Sequence, residues 1–458
     1  MSIEQLLEKL SELEAKIKFL ESQLAASNAR VAELEAKLAA KNKDSNNSSN
    51  PPSKDPPGTQ RKYPKRNKTD RKPGAQKGHQ GKSKSFEKEP DIVQTHEPTS
   101  CLECGESLES IEGKVVERRQ EIDIPPIEPI ITEHQLIEKI CPCCKHRSRG
   151  SFPDHIRSLI QFGINTIIAV IYFNIVHHIP FRRTTKIFKD MFHMSISEGT
   201  IENILNLAET KAIKYYDQIK ELLQQSKWVG SDETSIRING QTWWRWVWQN
   251  DKLTYFVSVS SRAYQVVKDF FGESFQGILL HDCYGAQLAT VASKHQLCLA
   301  HLIRELLFLI DFEKSMWAFK MIRFFSKVIK AKEIIWSEGF DLTRREKVIS
   351  DCFKELDRLL DLMPIKKESH RIWKRLRKHK DKLLTFLVHE DVPATNNGSE
   401  RAIRNAKIHR KISGCFRGDH APQRHSVLLS VIETAKKQGH SLLDSCKLML
   451  NHQLVLQA

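Results

Sequence analysis

The first 38 residues carry apolar side chains at alternating intervals of three and four positions. This spacing puts them on one stripe of a helix, and over five heptads it is typical of a coiled coil. The stripe consists of Ile3, Leu6, Leu10, Leu13, Ile17, Leu20, Leu24, Val31, Leu34 and Leu38, with the polar Ser27 between. We predict that this helix joins copies of the chain. The alternative is a lone amphipathic helix packed on the protein's own body.

A different pattern begins at Trp228, where short β-branched and aromatic runs replace the helical period. The Asn239-Gly240 pair between two such runs is a strong hairpin signal. The predicted strands cover 228–238, 243–249, 254–260 and 277–282, with a helix over 262–271 before the last of them. Three antiparallel strands, a helix and a further strand match the order of a ribonuclease-H-like core.

Helical periods occupy the regions on either side of these strands. Two amphipathic segments, 182–192 and 197–207, flank a turn at His193 and resemble a helix-turn-helix, with Ser197 as the cap of its second helix. Plain packing of two helices in a bundle is the alternative. Residues 301–392 are also helical by period and rich in Lys and Arg. Their basic face either holds DNA or is simply solvated.

The charge balance adds a class of partner to this outline. The 458 residues include 72 Lys and Arg against 56 Asp and Glu, a net charge of +16. Such an excess predicts attraction to polyanions such as DNA. The chain has no apolar run long enough to span a bilayer, about 18 residues, and its start lacks the apolar core of a signal peptide. We therefore expect a cytoplasmic protein without a membrane partner.

Much of this charge lies in one segment of low hydrophobicity. Residues 42–96 are rich in Asn, Ser, Pro, Gly and Lys, and their part from Lys54 to Lys88 has a net charge of +9. A segment with so few aliphatic residues cannot bury enough surface to fold. We predict a disordered arm that binds DNA phosphates without sequence preference. A solvated linker is the alternative.

Two Cys-x-x-Cys pairs predict a zinc site. Cys101 and Cys104 form the first pair, and Cys141 and Cys144 form the second. Four thiolates suit tetrahedral Zn²⁺ and leave no open position, so the zinc is expected to be structural. Cys143 is a spare thiol that could replace Cys144. The alternating residues from Val115 to Ile140 predict a β-hairpin or sheet between the two pairs.

Three carboxylates stand at positions that suit a second kind of metal site. Asp232 lies inside an apolar strand and Asp282 closes another, where burial of uncompensated carboxylates is costly. A hard cation, Mg²⁺ or Mn²⁺, would offset their repulsion. Glu400 lies in the first turn of a predicted helix, with Asn397 or Ser399 as its cap. A capping role is the alternative for each acid taken alone.

Five basic residues follow Glu400 on the same predicted helix, within reach of DNA phosphates beside such metals. They are Arg401, Arg404, Lys407, Arg410 and Lys411.

The assembled motifs resemble those of the bacterial insertion-sequence family numbered sixty-six, whose transposases are of the DDE type. The motifs are Ser231-Asp232-Glu233-Thr234, His281-Asp282-Cys283-Tyr284, Cys298-Leu-Ala-His301 and Asn396-Asn397-Gly398-Ser399-Glu400-Arg401. The resemblance covers nearly the whole chain and implies that Asp232, Asp282 and Glu400 are the catalytic triad. Family members more often have Gly after the second Asp, where this chain has Cys283. Cys298 and His301 either shape the site or bind metal.

The resemblance implies a transposase that cleaves transposon ends and joins them to target DNA by two-metal phosphodiester chemistry. Implied partners are transposon-end and target DNA, further copies of the chain and accessory transposition proteins, in association with the bacterial nucleoid. Two alternatives remain open. One is a catalytically silent, zinc-containing DNA-binding regulator, and the other is a structure-specific nuclease of the same fold.

The expected fold is therefore a multidomain α+β chain with seven parts. They are a coiled coil (1–41), a disordered basic linker (42–96), a zinc-binding β module (97–150), a helical DNA-binding region (151–226), the first part of the ribonuclease-H-like core (227–300), a helical insertion (301–392), and the rest of the core with C-terminal helices (393–458).

Overall fold

A computed structural model describes residues 3–41, 43–47, 55, 59 and 84–457. The chain divides into two units, and residues 62–131 form the smaller one. The predicted arm lies largely outside the described residues, so its disorder and its phosphate binding stay predictions.

The larger unit is a mixed α+β structure around a five-stranded sheet within the described residues. Its strands are β3 (Trp228–Ile238), β4 (Gln241–Gln249), β5 (Thr254–Val259), β6 (Phe275–His281) and β7 (Ala292–Leu297). Their order is β5-β4-β3-β6-β7. The first three strands are antiparallel neighbours, whereas β6 runs parallel to both β3 and β7. The β3–β4 turn has Asn239 at φ 47° and Gly240 at φ 78°, which fits the tight hairpin predicted from this pair.

Helices cover both faces of this sheet. Those before and among the first strands are α2 (Ile164–Ile171), α3 (Phe181–Phe192), α4 (Glu198–Gln224) and α5 (Tyr264–Phe271). A short helix, α6 (Gly285–Leu288), precedes β7, and five more follow β7: α7 (Leu299–Glu313), α8 (Met316–Ile335), α9 (Leu342–Asp361), α10 (Lys367–Lys378) and α11 (Thr385–Val388). The chain ends with α12 (Asn397–Ser413), α13 (His420–Lys437) and α14 (Leu442–Leu450).

Alternating strand residues divide the buried apolar side chains into two main cores. Val229 and Leu279 join a core with α2–α5, α13 and α14, while Ile278 and Leu280 join a second core with α7–α11. Because neighbouring strand residues point to opposite faces, the sheet separates α7–α11 from the helices of the first core. The result is three layers, with Asp232 in the central sheet, Asp282 directly after one of its strands and Glu400 on a helix.

The N-terminal segment is a helix, α1 (Ile3–Lys41), as its period predicts. From Leu10 onward its apolar stripe is exposed in the single chain, with Leu10 at 57% and Leu24 at 62% of their full accessible surface. Such a stripe is the surface that a coiled coil buries. Self-association through α1 stays a prediction.

Several predicted elements need correction. Residues 115–137, all described, contain no strand, and the only pairing near the second cysteine pair is a short hairpin of β1 (Glu138–Ile140) and β2 (Arg147–Arg149). Apolar side chains such as Val116 and Ile130 are instead exposed, because alternation alone gives a strand nothing to pair with or pack against.

The helical region also differs from its prediction in length. The second segment of the proposed helix-turn-helix extends to Gln224 as the 27-residue helix α4. Ser197 does cap it, since its hydroxyl accepts a hydrogen bond from the Thr200 amide at 3.0 Å. Much of α4 is buried against the sheet core, which favours packing as the main role of this helix pair. None of the helices in the described ranges has the length and apolarity to cross a membrane.

A buried arginine that pairs with no acid among the described residues lies between the sheet and the end of α12. The Arg245 guanidinium is fully buried and bonds to the Ser258 hydroxyl, the His425 ring and the Pro422 carbonyl. The rings of His178, His409 and His425 surround it, with centroids 4.7 to 6.0 Å apart. Burial, and then the charge of Arg245, lowers the pKa of His178 to about 4. The folded protein therefore resists protonation of this histidine.

His178→Gln is expected to reduce the loss of stability in acid. A histidine with a lowered folded pKa leaves stability unaffected above its ordinary pKa and reduces it as pH falls from about 6.5 toward the folded value. Between about pH 7.5 and 5.5 the wild-type free energy of unfolding should fall by about 1.4 kcal/mol more than that of the variant. Urea titrations at both pH values measure this difference. His146→Gln, at an exposed histidine, is the control, and equal losses in wild type and His178→Gln would contradict the assignment.

Candidate functional site

Strand register brings two of the predicted acids together. Val229 pairs with Leu279 and Gly230 with Leu280 where β3 and β6 run parallel. Continuing that register by two residues puts Asp282 beside Asp232, on the same face of the sheet. Neighbouring strands lie about 4.8 Å apart. Asp282 follows the last residue of β6, and its carboxylate accepts a hydrogen bond from the Tyr284 amide at 3.2 Å. The two carboxylates therefore share one end of the β3–β6 pair.

Glu400 is brought to this place by the turn that precedes α12. The Asn396 side chain donates to the Ser231 carbonyl at 2.7 Å, and the Ser399 hydroxyl donates to the Asn396 side-chain oxygen at 2.6 Å. Gln249 on β4 donates to Ser399 at 3.4 Å. These bonds attach the start of α12 to β3 directly beside Asp232. Asn396 occupies the N-cap position but makes no side-chain cap bond, so the predicted caps Asn397 and Ser399 are wrong.

The attachment depends on two glycines and a buried lysine. A Cβ at Gly230 would lie 2.7 Å from the Asn396 side-chain oxygen, and one at Gly398 would lie 2.6 Å from the Gln249 amide. Lys437 donates to the Gln249 side chain and to two backbone carbonyls. Burial lowers the pKa of Lys437 to about 7. The sequence gives no sign of these roles because each depends on a contact with a distant strand or helix.

The acids repel one another at this point. The pKa of Asp232 is raised well above its ordinary range, first by burial and then by the charges of Glu233, Asp282 and Glu400. Two arginines offset part of this charge. Arg262 bonds to Glu233, and Arg304 bonds to Glu400 at 3.0 and 3.4 Å. Four carboxylates against two guanidinium groups leave the charge of about one divalent cation uncompensated.

The donor set fits a hard divalent cation in its chemistry and charge. Carboxylate oxygens are the ligands that Mg²⁺ and Mn²⁺ prefer. Among the residues that the structure describes, no three or more His, Cys, Asp or Glu side chains are grouped closely enough to hold a metal ion as they stand. Glu400 is turned toward Arg304 instead.

Cys298 and His301 lie against this site. The Cys298 thiol is buried and accepts a hydrogen bond from the Asn396 amide at 3.1 Å. His301, at the start of α7, has its Nε2 3.6 Å from a Glu400 oxygen. Both contacts support the site-shaping role for the pair. Arg304, one turn further along α7, is a site residue that sequence analysis missed.

The backbone at Cys283 explains why glycine suits this position. Cys283 has φ 76°, a left-handed conformation that glycine adopts freely and other residues adopt at a cost. Its amide donates to the His281 ring at 3.2 Å, which fixes the bend directly after Asp282. The departure from glycine leaves the carboxylate in place.

The five predicted DNA-binding side chains are exposed along α12. They are Arg401, Arg404, Lys407, Arg410 and Lys411. The helix packs inward through Ala402, Ile403, Ala406 and His409. The row begins next to Glu400, so phosphates bound along it would lie beside the acids.

The two cysteine pairs have the same local geometry, each within its own unit. The Cys101 amide bonds to the Glu106 carbonyl, and the Cys141 amide bonds to the His146 carbonyl. Gly105 and Lys145 take the left-handed conformation at matching positions, with φ 75° and 61°.

The first thiol of each pair is prepared for metal binding. Amide donors within the turn lower the pKa of Cys101, with Cys104 contributing most, and that of Cys141, with Cys144 contributing most. Turns that stabilise a thiolate in this way fit zinc ligation.

Comparison with known families assigns three regions of the chain. Residues 160–424, more than half of the chain, match the model of the transposase IS66 family. Residues 98–145, which include all four paired cysteines, match the zinc-finger binding domain of transposase IS66. Residues 2–85 match a family of unknown function. No curated protein matches the chain.

Proposed function

The chain belongs to the IS66 transposase family, and we propose that it cleaves DNA at transposon ends and joins them to target DNA, with Asp232, Asp282 and Glu400 as the catalytic carboxylates. The observation that carries this proposal is the attachment of the Glu400 helix to β3 beside the paired acids Asp232 and Asp282. Distant segments meet there in an arrangement that is costly for stability. Carboxylates with perturbed pKa values are expected at functional sites.

We propose a ribonuclease-H-like core in two parts, 227–300 and 393–458, with a helical insertion at 301–392. The strand order and the mixed directions of β3–β7 support this division. The proposed N-terminal parts are the coiled coil (1–41), the basic arm (42–96), the zinc-binding domain (97–150) and a helical region (151–226). In this layout the coiled coil holds two transposon ends together by pairing two copies of the chain.

Asp232, Asp282 and Glu400 would hold Mg²⁺ or Mn²⁺. When bound, such ions activate an attacking oxygen and stabilise the leaving one. Water attacks the phosphodiester at the transposon end and breaks its bond to the 3′ oxygen, which frees a 3′-hydroxyl. That hydroxyl then attacks a target phosphodiester and displaces the 3′ oxygen of the target strand. Arg304 pairs with Glu400 and offsets its charge, and the exposed basic residues from Arg401 to Lys411 would bind phosphates on either side. No protein nucleophile takes part.

A strand-transfer assay with the inverted repeats of the chain's own locus and Mg²⁺ tests this function. Wild type should yield joined products, while Glu400→Gln should yield none because the third carboxylate is lost. Asp217→Asn, at an exposed acid on α4, is the matched control. Cleavage of branched DNA without joining would favour a structure-specific nuclease, and end binding without any cleavage would favour a silent regulator.

Cys144→Ser is expected to remove the bound zinc. We propose that Cys101, Cys104, Cys141 and Cys144 hold one structural Zn²⁺, in line with the zinc-finger match. Loss of one thiolate weakens a closed four-ligand site strongly, so the purified variant should lose its equivalent of zinc by elemental analysis. Its DNA affinity should fall while the near-ultraviolet circular dichroism of the tryptophan-rich core persists.

Cys143→Ser is the matched control for this test, because Cys143 lies in the same turn but is not in the proposed ligand set. If Cys144→Ser keeps its zinc and Cys143→Ser loses it, then Cys143 is the fourth zinc ligand and Cys144 is the spare thiol.

A further inference from the structure

A buried carboxylate adjoins the proposed catalytic residue Asp232. Glu233 has a side chain only 2% exposed. Strand alternation turns it to the opposite face of the sheet from Asp232. Burial, and then the charge of Asp282, raises the pKa of Glu233. A carboxylate buried in this way needs a partner that pairs with its charge or donates hydrogen bonds to it.

That partner is Arg262, which lies between β5 and α5. Its Nε and Nη2 atoms both donate to the same Glu233 oxygen, and Gln287 donates to the other oxygen at 3.2 Å. The guanidinium group lies between two aromatic rings, 4.6 Å from the centroid of Trp244 and 4.0 Å from that of Tyr284. Arginine held on aromatic faces by a carboxylate loses little further freedom when it binds a ligand.

The same network reaches the loop that carries Asp282. The Tyr284 hydroxyl donates to the Arg262 carbonyl at 3.1 Å, and the Tyr284 amide donates to Asp282 at 3.2 Å. Tyr284 therefore fixes Arg262 and Asp282 relative to each other. The arginine is therefore connected to Asp282 through the loop that follows β6.

Part of the guanidinium group remains available to a ligand. Within the described ranges, no hydrogen bond engages Nη1 of Arg262, and the side chain is 38% exposed. A planar guanidinium group with free N–H donors next to a phosphodiester-cleaving site matches the geometry of a phosphate oxygen.

We propose that Arg262 binds a DNA phosphate flanking the carboxylates through its Nη1 donors, with Glu233 as the residue that positions it. This inference rests on the proposed function, since it takes DNA as the substrate. Arg262 would be a DNA contact between β5 and α5, separate from the exposed basic residues of α12. DNA would then be held from both sides of the acids.

Methylphosphonate scanning tests this contact. Each phosphate of a duplex transposon end is replaced in turn by a neutral methylphosphonate, and binding to wild type and Arg262→Gln is measured without divalent cations. Arg262→Gln should weaken binding of the unmodified duplex about tenfold, as for loss of one charge-assisted hydrogen bond. At one phosphate, the methylphosphonate should weaken DNA binding by wild type by about the same factor and leave DNA binding by Arg262→Gln unchanged.

Three further variants make the result specific. Arg237→Gln removes an exposed arginine from the same sheet and should show additive effects at every phosphate. Arg262→Lys keeps the charge but not the planar donors and should lose part of the affinity. In Glu233→Gln, the methylphosphonate at the same phosphate should weaken binding less than it does in wild type. The reason is that the guanidinium group loses the carboxylate that positions it. A purely structural role for Arg262 would not single out one phosphate.

Additive effects of Arg262→Gln at every position, or no weakening of wild type by any methylphosphonate, would overturn the proposal. The proposed function fails separately. If joined products persist in Glu400→Gln while Arg262 still couples to one phosphate, then the phosphate site stands and the carboxylate chemistry does not. If Glu400→Gln is inactive and no coupling appears, only the Arg262 inference falls.

Discussion

Asp232→Asn is expected to abolish strand transfer and at the same time to stabilise the metal-free protein. The first effect should be on the order of 10³-fold or more, as for the loss of a group that acts together with others in a catalytic unit. The second should be a gain of about 0.5–2 kcal/mol in the free energy of unfolding. Few substitutions of a buried polar residue stabilise a protein, so the pair of effects is a sharp expectation.

The physical reason is the position of this carboxylate. Burial and the charges of Glu233, Asp282 and Glu400 all raise the pKa of Asp232. A carboxyl group with a raised folded pKa reduces stability as pH rises above its unfolded pKa, because the folded state resists ionisation. An amide of the same shape removes that charge. It also removes an anionic ligand that a divalent cation requires.

Urea titration in the presence of a chelator measures the stability, and the strand-transfer assay measures the activity. The gain in stability should shrink as pH falls toward the ordinary pKa of Asp, since wild type then becomes protonated. Asp217→Asn should change neither quantity. A destabilised Asp232→Asn, or one that still forms joined products, would contradict the role proposed for this acid.

The sequence was most informative where a local pattern determines structure. The run from Trp228 to Ile238, the Asn239-Gly240 turn and the paired tryptophans of β4 all form as predicted, because alternation and turn residues act within a few positions. Trp246 and Trp248 stack 5.8 Å apart in the core. The helical period also predicted α1 correctly.

Sequence patterns failed where tertiary contacts decide. Strand β7 (Ala292–Leu297) was missed because its Ser-Lys-His-Gln segment is polar, and its pairing with β6 is what forms it. The opposite error concerns residues 115–137, whose alternation found no partner strand. In both cases, whether a strand formed depended on a neighbouring strand to pair with and not on the alternation of side chains.

The same distinction applies to the candidate site. The three acids could be selected one at a time as carboxylates in unfavourable positions. Arg304, Gln249 and Lys437 could not be selected, because each is an ordinary residue of a helix or strand until the fold brings Arg304 to Glu400, Gln249 to Ser399 and Lys437 to Gln249. Glu233 did carry a signal, as a second acid inside an apolar strand, but its bond to Arg262 depends on the fold.

Gly230→Ala is expected to separate the Glu400 helix from β3 and to reduce activity about 10²-fold, the effect of a displacement of about 1 Å at a catalytic group. The added Cβ would lie 2.7 Å from the Asn396 side-chain oxygen, 2.8 Å from the Ser399 hydroxyl and 3.0 Å from the Gln249 amide. The side chains of Asn396, Ser399 and Gln249 make the bonds that hold the start of α12. The ends of these side chains must move to relieve the overlap, and each such movement weakens a bond that attaches the start of α12 to the strands.

The substitution should also cost about 1–3 kcal/mol of stability, as for other overpacked sites. Gly285→Ala is the matched control, because it lies just after the Asp282 loop and an added Cβ there meets no atom within 4 Å. Strand-transfer rates and urea titrations of both variants measure the two effects. Since a loss of folded protein would mimic a loss of activity, rates are compared per folded molecule by circular dichroism. Full activity in folded Gly230→Ala would mean that the tight approach of α12 to β3 does not set the position of Glu400.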